Sequence, residues 1–235
     1  MLLIWCGPAA RTLAIAAFFV LLLVLLLPEW RGPAAQTAAE CVTIANFSDN
    51  KVGEFPLDWK VRKDEGKDVY TVREEGGRRF LAALSRGLGI QAAKERAWDL
   101  GAYPVLAWSW RPREFPRGAD ERDSATNDSV LAVYMLVPHS RIRGPKAVKY
   151  IWSEKAPAGT HLTSNMGLTQ VRVLRSGTAG KDQWTEERVN VLDDYKKLFG
   201  ESEAPKPAGI AVLTDSDDTK SSAAADYANF RACRS

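Results

Sequence analysis

The segment "YPVLAWSWRP", residues 103–112, alternates large apolar side chains with small or polar ones. Leu106, Trp108 and Trp110 share one face of an extended chain, and this period of two predicts a β-strand that packs one face into a core. A second segment, "SVLAVYMLVP" at 129–138, is apolar throughout and predicts a central strand with both faces covered.

Shorter runs of β-strand composition occupy most of the chain and are separated by turn residues. Gly76-Gly77 indicates a hairpin between two of these runs. Other predicted strands lie at 41–47, 148–153, 169–177, 208–215 and 225–233. Many short strands with turn signals between them predict an all-β protein, an antiparallel β-sandwich.

One surface α-helix is predicted at about 185–199, "TEERVNVLDDYKKLF". Val189, Leu192 and Tyr195 recur at helical spacing there. Thr185 is the predicted N-cap, and Gly200 follows the last turn.

The N-terminus has the pattern of a targeting segment. Arg11 precedes an uncharged, leucine-rich run at 13–27, and small residues precede Glu40. This pattern predicts either a signal peptide over 1–39, cleaved before Glu40, or a retained N-terminal membrane anchor. In both cases residues 40–235 form a single extracytoplasmic domain, which we expect in the periplasm.

The charge pattern excludes several classes of partner. The 32 Lys and Arg residues nearly balance the 29 Asp and Glu residues, and no basic block occurs. We therefore expect no nucleic-acid partner, and contact with a membrane only through the N-terminal segment. The two histidines and the absence of Cys-x-x-Cys or His-x-x-x-His spacing disfavour zinc and a catalytic triad.

The cysteines predict one disulfide. Cys6 lies in the targeting segment, whereas Cys41 and Cys233 lie at the two ends of the remaining chain. In an oxidising compartment a Cys41–Cys233 bridge is the natural interpretation, and a pair of free thiols is the alternative.

Longer segments carry a resemblance to known families. "FSDNKVGEFPLDWKV" and "AWDLGAYPVLAWSWRP" resemble the opening of secreted β-sandwich modules of the galactose-binding-like, jelly-roll type. "KYIWSEKAPAGT", "RSGTAGKDQWTEERVNVLDDYKKLFGE" and "AVLTDSDDTKSSAAADY" resemble the bacterial family called domain of unknown function 3047. The resemblance implies a jelly-roll-type sandwich in an exported protein, and it implies no activity.

The candidate ligand-binding residues combine arginines, carboxylates and tryptophans. A half-buried arginine needs carboxylate partners, so we expect Asp215 and Asp217 to pair with an arginine such as Arg111, Arg122 or Arg175 at one end or edge of the sandwich. If this network lines a groove, it can hold vicinal hydroxyls. The full candidate set is Arg111, Asp120, Arg122, Asp128, Trp152, Arg175, Trp184, Glu187, Asp215 and Asp217.

A metal loop is the competing interpretation of the same turn. Asp215, Asp217 and Thr219 fit positions 1, 3 and 5 of an oxygen-ligand loop, and Asp226 falls at position 12. Lys220 replaces the glycine of an EF-hand, so that motif is rejected. The prediction is no metal and no cofactor, with a structural Ca²⁺ as the alternative.

The resulting functional hypothesis is an exported, non-catalytic binding module for an envelope carbohydrate or other polyol. One alternative is a carboxylate-dependent enzyme acting on glycans, which would need two carboxyl groups facing each other across a groove. The other is a structural envelope protein without a small ligand.

Overall fold

A computed structural model of the chain describes residues 40–234. The predicted targeting segment, 1–39, lies outside the described residues, so its cleavage or retention stays a prediction. Within 40–234, no helix is both long and apolar enough to cross a membrane.

The described residues form two β-sheets. The first sheet contains β1 (Cys41–Ala45), β3 (Tyr70–Glu75), β4 (Arg78–Arg86), β6 (Val105–Glu114), β11 (Thr185–Asn190) and β13 (Ser222–Cys233). Its strand order is β11-β6-β13-β4-β3, and β1 pairs with one end of β13. All of its pairings are antiparallel.

The second sheet has the order β2-β5-β12-β7-β8-β10-β9. Its strands are β2 (Trp59–Val61), β5 (Ala92–Glu95), β7 (Leu131–Ser140), β8 (Gly144–Ser153), β9 (His161–Ser164), β10 (Thr169–Ser176) and β12 (Gly209–Leu213). Two short helical segments, α1 (Gly66–Val69) and the 3-10 turn Asn165–Gly167, and one longer helix, α2 (Val191–Phe199), complete the secondary structure.

Aromatic side chains fill the space between the sheets. Trp108 packs edge-to-face on Trp110 at 5.3 Å between ring centroids, and it contacts Tyr150 of the other sheet at 5.6 Å. Trp110 likewise meets Trp152 at 6.0 Å. The alternation of "YPVLAWSWRP" thus gives the buried face that the sequence predicts, and the β-sandwich of jelly-roll type is confirmed.

Two details of the predicted fold are wrong. The helix starts at Val191, because Thr185–Asn190 pairs with β6 and extends the first sheet. The Asn190 side chain accepts a hydrogen bond from the Asp193 amide and caps the helix there. The sandwich is also not purely antiparallel: β10 pairs with β8 in parallel, because β9 occupies the other side of β10 and reverses the chain direction.

The predicted disulfide joins the first and last strands of the sandwich, β1 and β13. Cys41 and Cys233 are register partners on β1 and β13, with Cα atoms 4.0 Å apart and a bond between their sulfurs. The bridge therefore closes a loop that contains almost the entire described chain.

Candidate functional site

A groove runs over the outer face of the first sheet. Side chains at alternate positions of neighbouring strands point away from the aromatic core and line it. Its volume is about 540 Å³. We call it the arginine groove, and its strand residues are Arg73, Glu75, Phe80, Ala82, Leu84, Arg111, Arg113, Ala224 and Asp226.

Arg111 lies at the centre of this groove and is held by two carboxylates. Its Nε donates to Asp226 Oδ2 at 2.7 Å, and both side chains are only 8% exposed. Its Nη1 lies 2.8 Å from Glu75 Oε2, on a side chain that is 61% exposed. One guanidinium therefore joins a buried carboxylate to one that reaches solvent.

Aromatic rings pack against the same guanidinium. The Arg111 Cζ atom lies 4.6 Å from the Trp184 ring centroid and 5.4 Å from that of Phe80. The two rings meet edge-to-face at 5.5 Å, and Arg78 lies over Trp184 at 5.4 Å. These cation–π contacts fix the orientation of Arg111 without using all of its N–H donors.

The carboxylates of the arginine groove differ in their surroundings. Burial raises the pKa of Asp226, although the hydrogen bond from Arg111 opposes that shift. Glu75 binds the same guanidinium from the solvent side. Both carboxylates are thus engaged with one arginine.

The predicted pairing of Asp215 and Asp217 with an arginine is wrong. Arg111 pairs with Asp226 and Glu75 instead. Asp215 and Asp217 lie in the turn that follows β12 of the second sheet, whereas Asp226 lies on β13 of the first sheet, beside Arg111 of β6.

The other two candidate arginines also have different partners. Arg122 binds Asp120, its near neighbour in an exposed loop, at 2.7 Å, which lowers the pKa of that carboxyl to about 2. Arg175 binds Glu187 at 2.7 Å, and Glu187 also accepts a hydrogen bond from Trp110 Nε1 at 3.1 Å. The Arg122–Asp120 pair lies within one loop, whereas the Arg175–Glu187 pair joins β10 of the second sheet to β11 of the first.

Two further candidates, Trp152 and Asp128, lie outside the arginine groove. Trp152 is a core residue whose Nε1 donates to the Gly177 carbonyl at 2.9 Å. Asp128 is buried and accepts the backbone amides of Asp218 and Thr219 at 3.1 and 2.8 Å. Of the predicted set, the structure brings only Arg111 and Trp184 together at the arginine groove.

Sequence reasoning did not name Glu75 or Phe80, and it named Asp226 only as position 12 of a metal loop. A signal for Asp226 exists, since it is the one charged residue in the run "SAAADYANF" and a buried charge requires a partner. Only the pairing of β13 with β6 identifies that partner as Arg111.

The chain matches one protein-family model. A family model described as "Protein of unknown function (DUF3047)" matches residues 57–231. No curated protein matches the chain.

Several solved structures are similar to the chain at low sequence identity. The K3 cleaved adhesin domain of Lys-gingipain from Porphyromonas gingivalis W83 is 12% identical, with a TM-score of 0.41, and the match covers 83% of this chain and 99% of that one. The xyloglucanase domain of NopAA, a type three effector from Sinorhizobium fredii, in complex with cellobiose, is 10% identical (TM-score 0.39; 76% and 99% covered). The family 11 xylanase from Neocallimastix patriciarum is 12% identical (TM-score 0.38; 77% and 97% covered). At these identities the likeness does not extend to function.

Proposed function

Because the chain belongs to the DUF3047 family of proteins of unknown function, we propose its function from its own groove: it is a non-catalytic module that binds a carbohydrate or other polyol. The observation that carries this proposal is the position of Arg111, held between Asp226, Glu75 and the ring of Trp184 in an open groove.

The chemistry of the arginine groove suits a neutral ligand with several hydroxyl groups. Arginine donors and carboxylate acceptors on neighbouring strands can bind vicinal hydroxyls, and apolar Leu84 and Ala224 offer surface to the C–H faces of a sugar ring. Both signs of charge line the groove, so an ion of either sign would meet repulsion as well as attraction.

The proposed setting is the periplasm. The Cys41–Cys233 bridge supports this proposal, because structural disulfides persist in oxidising compartments. Fractionation of a Gram-negative host that expresses the full chain tests it. We expect the protein in the periplasmic or envelope fraction, and a chain found only in the cytosol with a reduced Cys41 would contradict it.

A glycan array probed with the full chain tests the binding proposal. We expect binding to a restricted set of neutral glycans. Glu75→Gln should weaken binding at least tenfold because it removes a charged acceptor at the mouth of the groove. Trp184→Ala should also weaken binding, since it removes the ring that orients Arg111.

Arg143→Ala is the matched control, because it removes an exposed arginine from the β7–β8 hairpin of the other sheet. Equal binding by all three variants, or no glycan binding, would contradict the proposal. Release of new reducing ends from a bound glycan, abolished by Asp226→Asn, would instead identify a carboxylate-dependent enzyme.

A further inference from the structure

A group of carboxylates lies at the end of the second sheet, separate from the arginine groove. One carboxylate oxygen each from Asp128, Asp217 and Asp218 lies within 4.8 Å of the others. Ligands of one Ca²⁺ ion lie at about 2.3–2.6 Å from it, so oxygens at this mutual spacing can share an ion. Acidic groups on a surface often have no ligand, and the spacing alone therefore decides nothing.

Asp215 supplies an independent observation. Its side chain is 8% exposed, and its Oδ1 atom is buried with no hydrogen-bond partner among residues 40–234. A buried carboxylate oxygen without a partner destabilises the fold, because it loses its hydrogen bonds to water and forms none within the protein. Burial, and after it the Asp217 side chain, raise the pKa of Asp215 to about 8.

The unpartnered oxygen of Asp215 lies close to Asp217, which belongs to this group of carboxylates. A Cβ atom placed on Gly89 would lie 2.6 Å from Asp215 Oδ1 and 2.6 Å from Asp217 Oδ1, so the two oxygens are at most twice that distance apart. Gly89 has no positive φ that would require glycine. Its missing side chain instead leaves the space in which the two carboxylates approach each other.

The turn that holds these groups is firmly anchored. Ser216 is fully buried, and its Oγ atom bonds to Ser85 Oγ at 2.7 Å and accepts the Gly87 amide at 2.9 Å. Asp128 accepts the amides of Asp218 and Thr219 from the opposite side. The carboxylates are thus arranged before any ligand binds, which lowers the cost of binding.

We propose that Asp128, Asp215, Asp217 and Asp218 bind one Ca²⁺ ion, at a site we call the aspartate site. Calcium binding requires all four carboxylates to be ionised, so Asp215 must release the proton that its raised pKa favours. The four carboxylates then carry four negative charges, and the cations that act on them are Lys149, on Asp215, and Lys220, on Asp218. The remaining charge of minus two matches a divalent ion. Carboxylates from two different loops suit Ca²⁺, which accepts irregular coordination, better than Mg²⁺, which requires near-ideal octahedral geometry.

This proposal is independent of the arginine groove and replaces the prediction of no metal. Calcium would join the loop before β7 to the turn after β12, and would satisfy the buried oxygen of Asp215. The expected consequence is a fold whose thermal stability increases with calcium concentration.

Calorimetric titration of the chelator-treated full chain with CaCl₂ tests the proposal. We expect one site per chain, with a dissociation constant below about 1 mM. Asp217→Asn and Asp218→Asn should each weaken binding at least tenfold, and both change partly exposed side chains, so folding should survive. Gly89→Ala should weaken binding as well, because its methyl group would occupy the space between two ligands.

Asp64→Asn is the matched control, since it removes a carboxylate that is 93% exposed and lies outside the aspartate site. Unchanged affinity in this control, with loss in the other variants, supports the site. No binding up to about 10 mM CaCl₂, where even weak extracellular sites would be filled, would overturn the proposal. Equal binding by Asp217→Asn and Asp64→Asn would also overturn it, because the calcium would then be a surface counterion. A melting temperature that does not change with calcium would point to a proton shared between Asp215 and Asp217.

Discussion

Arg111 and Asp226 are cross-strand neighbours on β6 and β13, joined by a hydrogen bond of 2.7 Å from Nε to Oδ2. Both side chains are almost fully buried, beside the apolar ring of Phe80. A charge pair in such a place has lost most of its hydration, so each partner depends on the other.

The first prediction concerns this pair. Arg111→Met leaves Asp226 buried without its partner and should lower the free energy of unfolding by about 3–5 kcal/mol. Asp226→Leu leaves Arg111 with Glu75 as a carboxylate partner, and should cost less than Arg111→Met. The double variant should lose less than the sum of the two, because no unpaired charge remains.

Urea denaturation of the four proteins measures the coupling between Arg111 and Asp226. Arg122→Met is the matched control, since Arg122 and Asp120 form an exposed pair, and such pairs contribute little to stability. Additive losses in the double variant would show that the buried pair is not coupled.

The second prediction is a pH dependence that arises from Glu121. Burial raises the pKa of this carboxyl, against the opposing effect of its hydrogen bond from Ser153 Oγ. The folded protein therefore keeps the proton to a higher pH than the unfolded chain, whose glutamates titrate near 4.5. Stability should fall as pH rises from about 4.5 through the folded pKa, by at most about 1.4 kcal/mol per pH unit from this group.

Glu121→Gln should flatten this part of the stability profile, because glutamine does not titrate. Urea denaturation between pH 4.5 and 7 compares the slopes of the two proteins. Glu54→Gln, whose parent side chain is 56% exposed, is the control and should leave the slope unchanged. Parallel profiles for the wild type and Glu121→Gln would contradict the assignment.

The third prediction concerns the start of α2. Asn190→Ala removes the side-chain oxygen that accepts the Asp193 amide, and should cost about 1 kcal/mol of stability. Asn190→Ser should restore most of this loss, because serine is also a good N-cap. Thermal unfolding of the wild type and the two variants measures these differences in stability. An Asn190→Ala variant as stable as the wild type would show that the Asn190 side chain does not stabilise the start of α2.

The fourth prediction concerns the disulfide. Cys233→Ser should lower stability by about 2–5 kcal/mol, because the bridge restricts a very long loop in the unfolded chain. Cys6→Ser is the control and should leave the melting temperature unchanged, since Cys6 precedes the sandwich in sequence. Equal melting of both variants and the wild type would show that the bridge contributes nothing.

Local patterns were sufficient to predict the β-sandwich. The alternation around Trp108 and Trp110 marks a strand with one buried face, because successive side chains of a strand point in opposite directions. The same reasoning failed at 185–190, where helical spacing continues backwards from α2 but pairing with β6 draws the residues into the sheet. A strand's hydrogen-bond partner is distant in sequence, so no local pattern contains it.

The same division between local sequence and tertiary contacts applies to the candidate site residues. The sequence predicted Arg111 and Trp184 among ten candidate binding residues, and it predicted the Cys41–Cys233 bridge, because residue chemistry limits what each side chain can contact. Tertiary structure alone decided that Asp226, and not Asp215 or Asp217, is the partner of Arg111. Salt bridges act over a few ångströms of space. The chain passes from the second sheet to the first between the turn that holds Asp215 and Asp217 and the strand that holds Asp226, and only that strand pairs with the strand of Arg111.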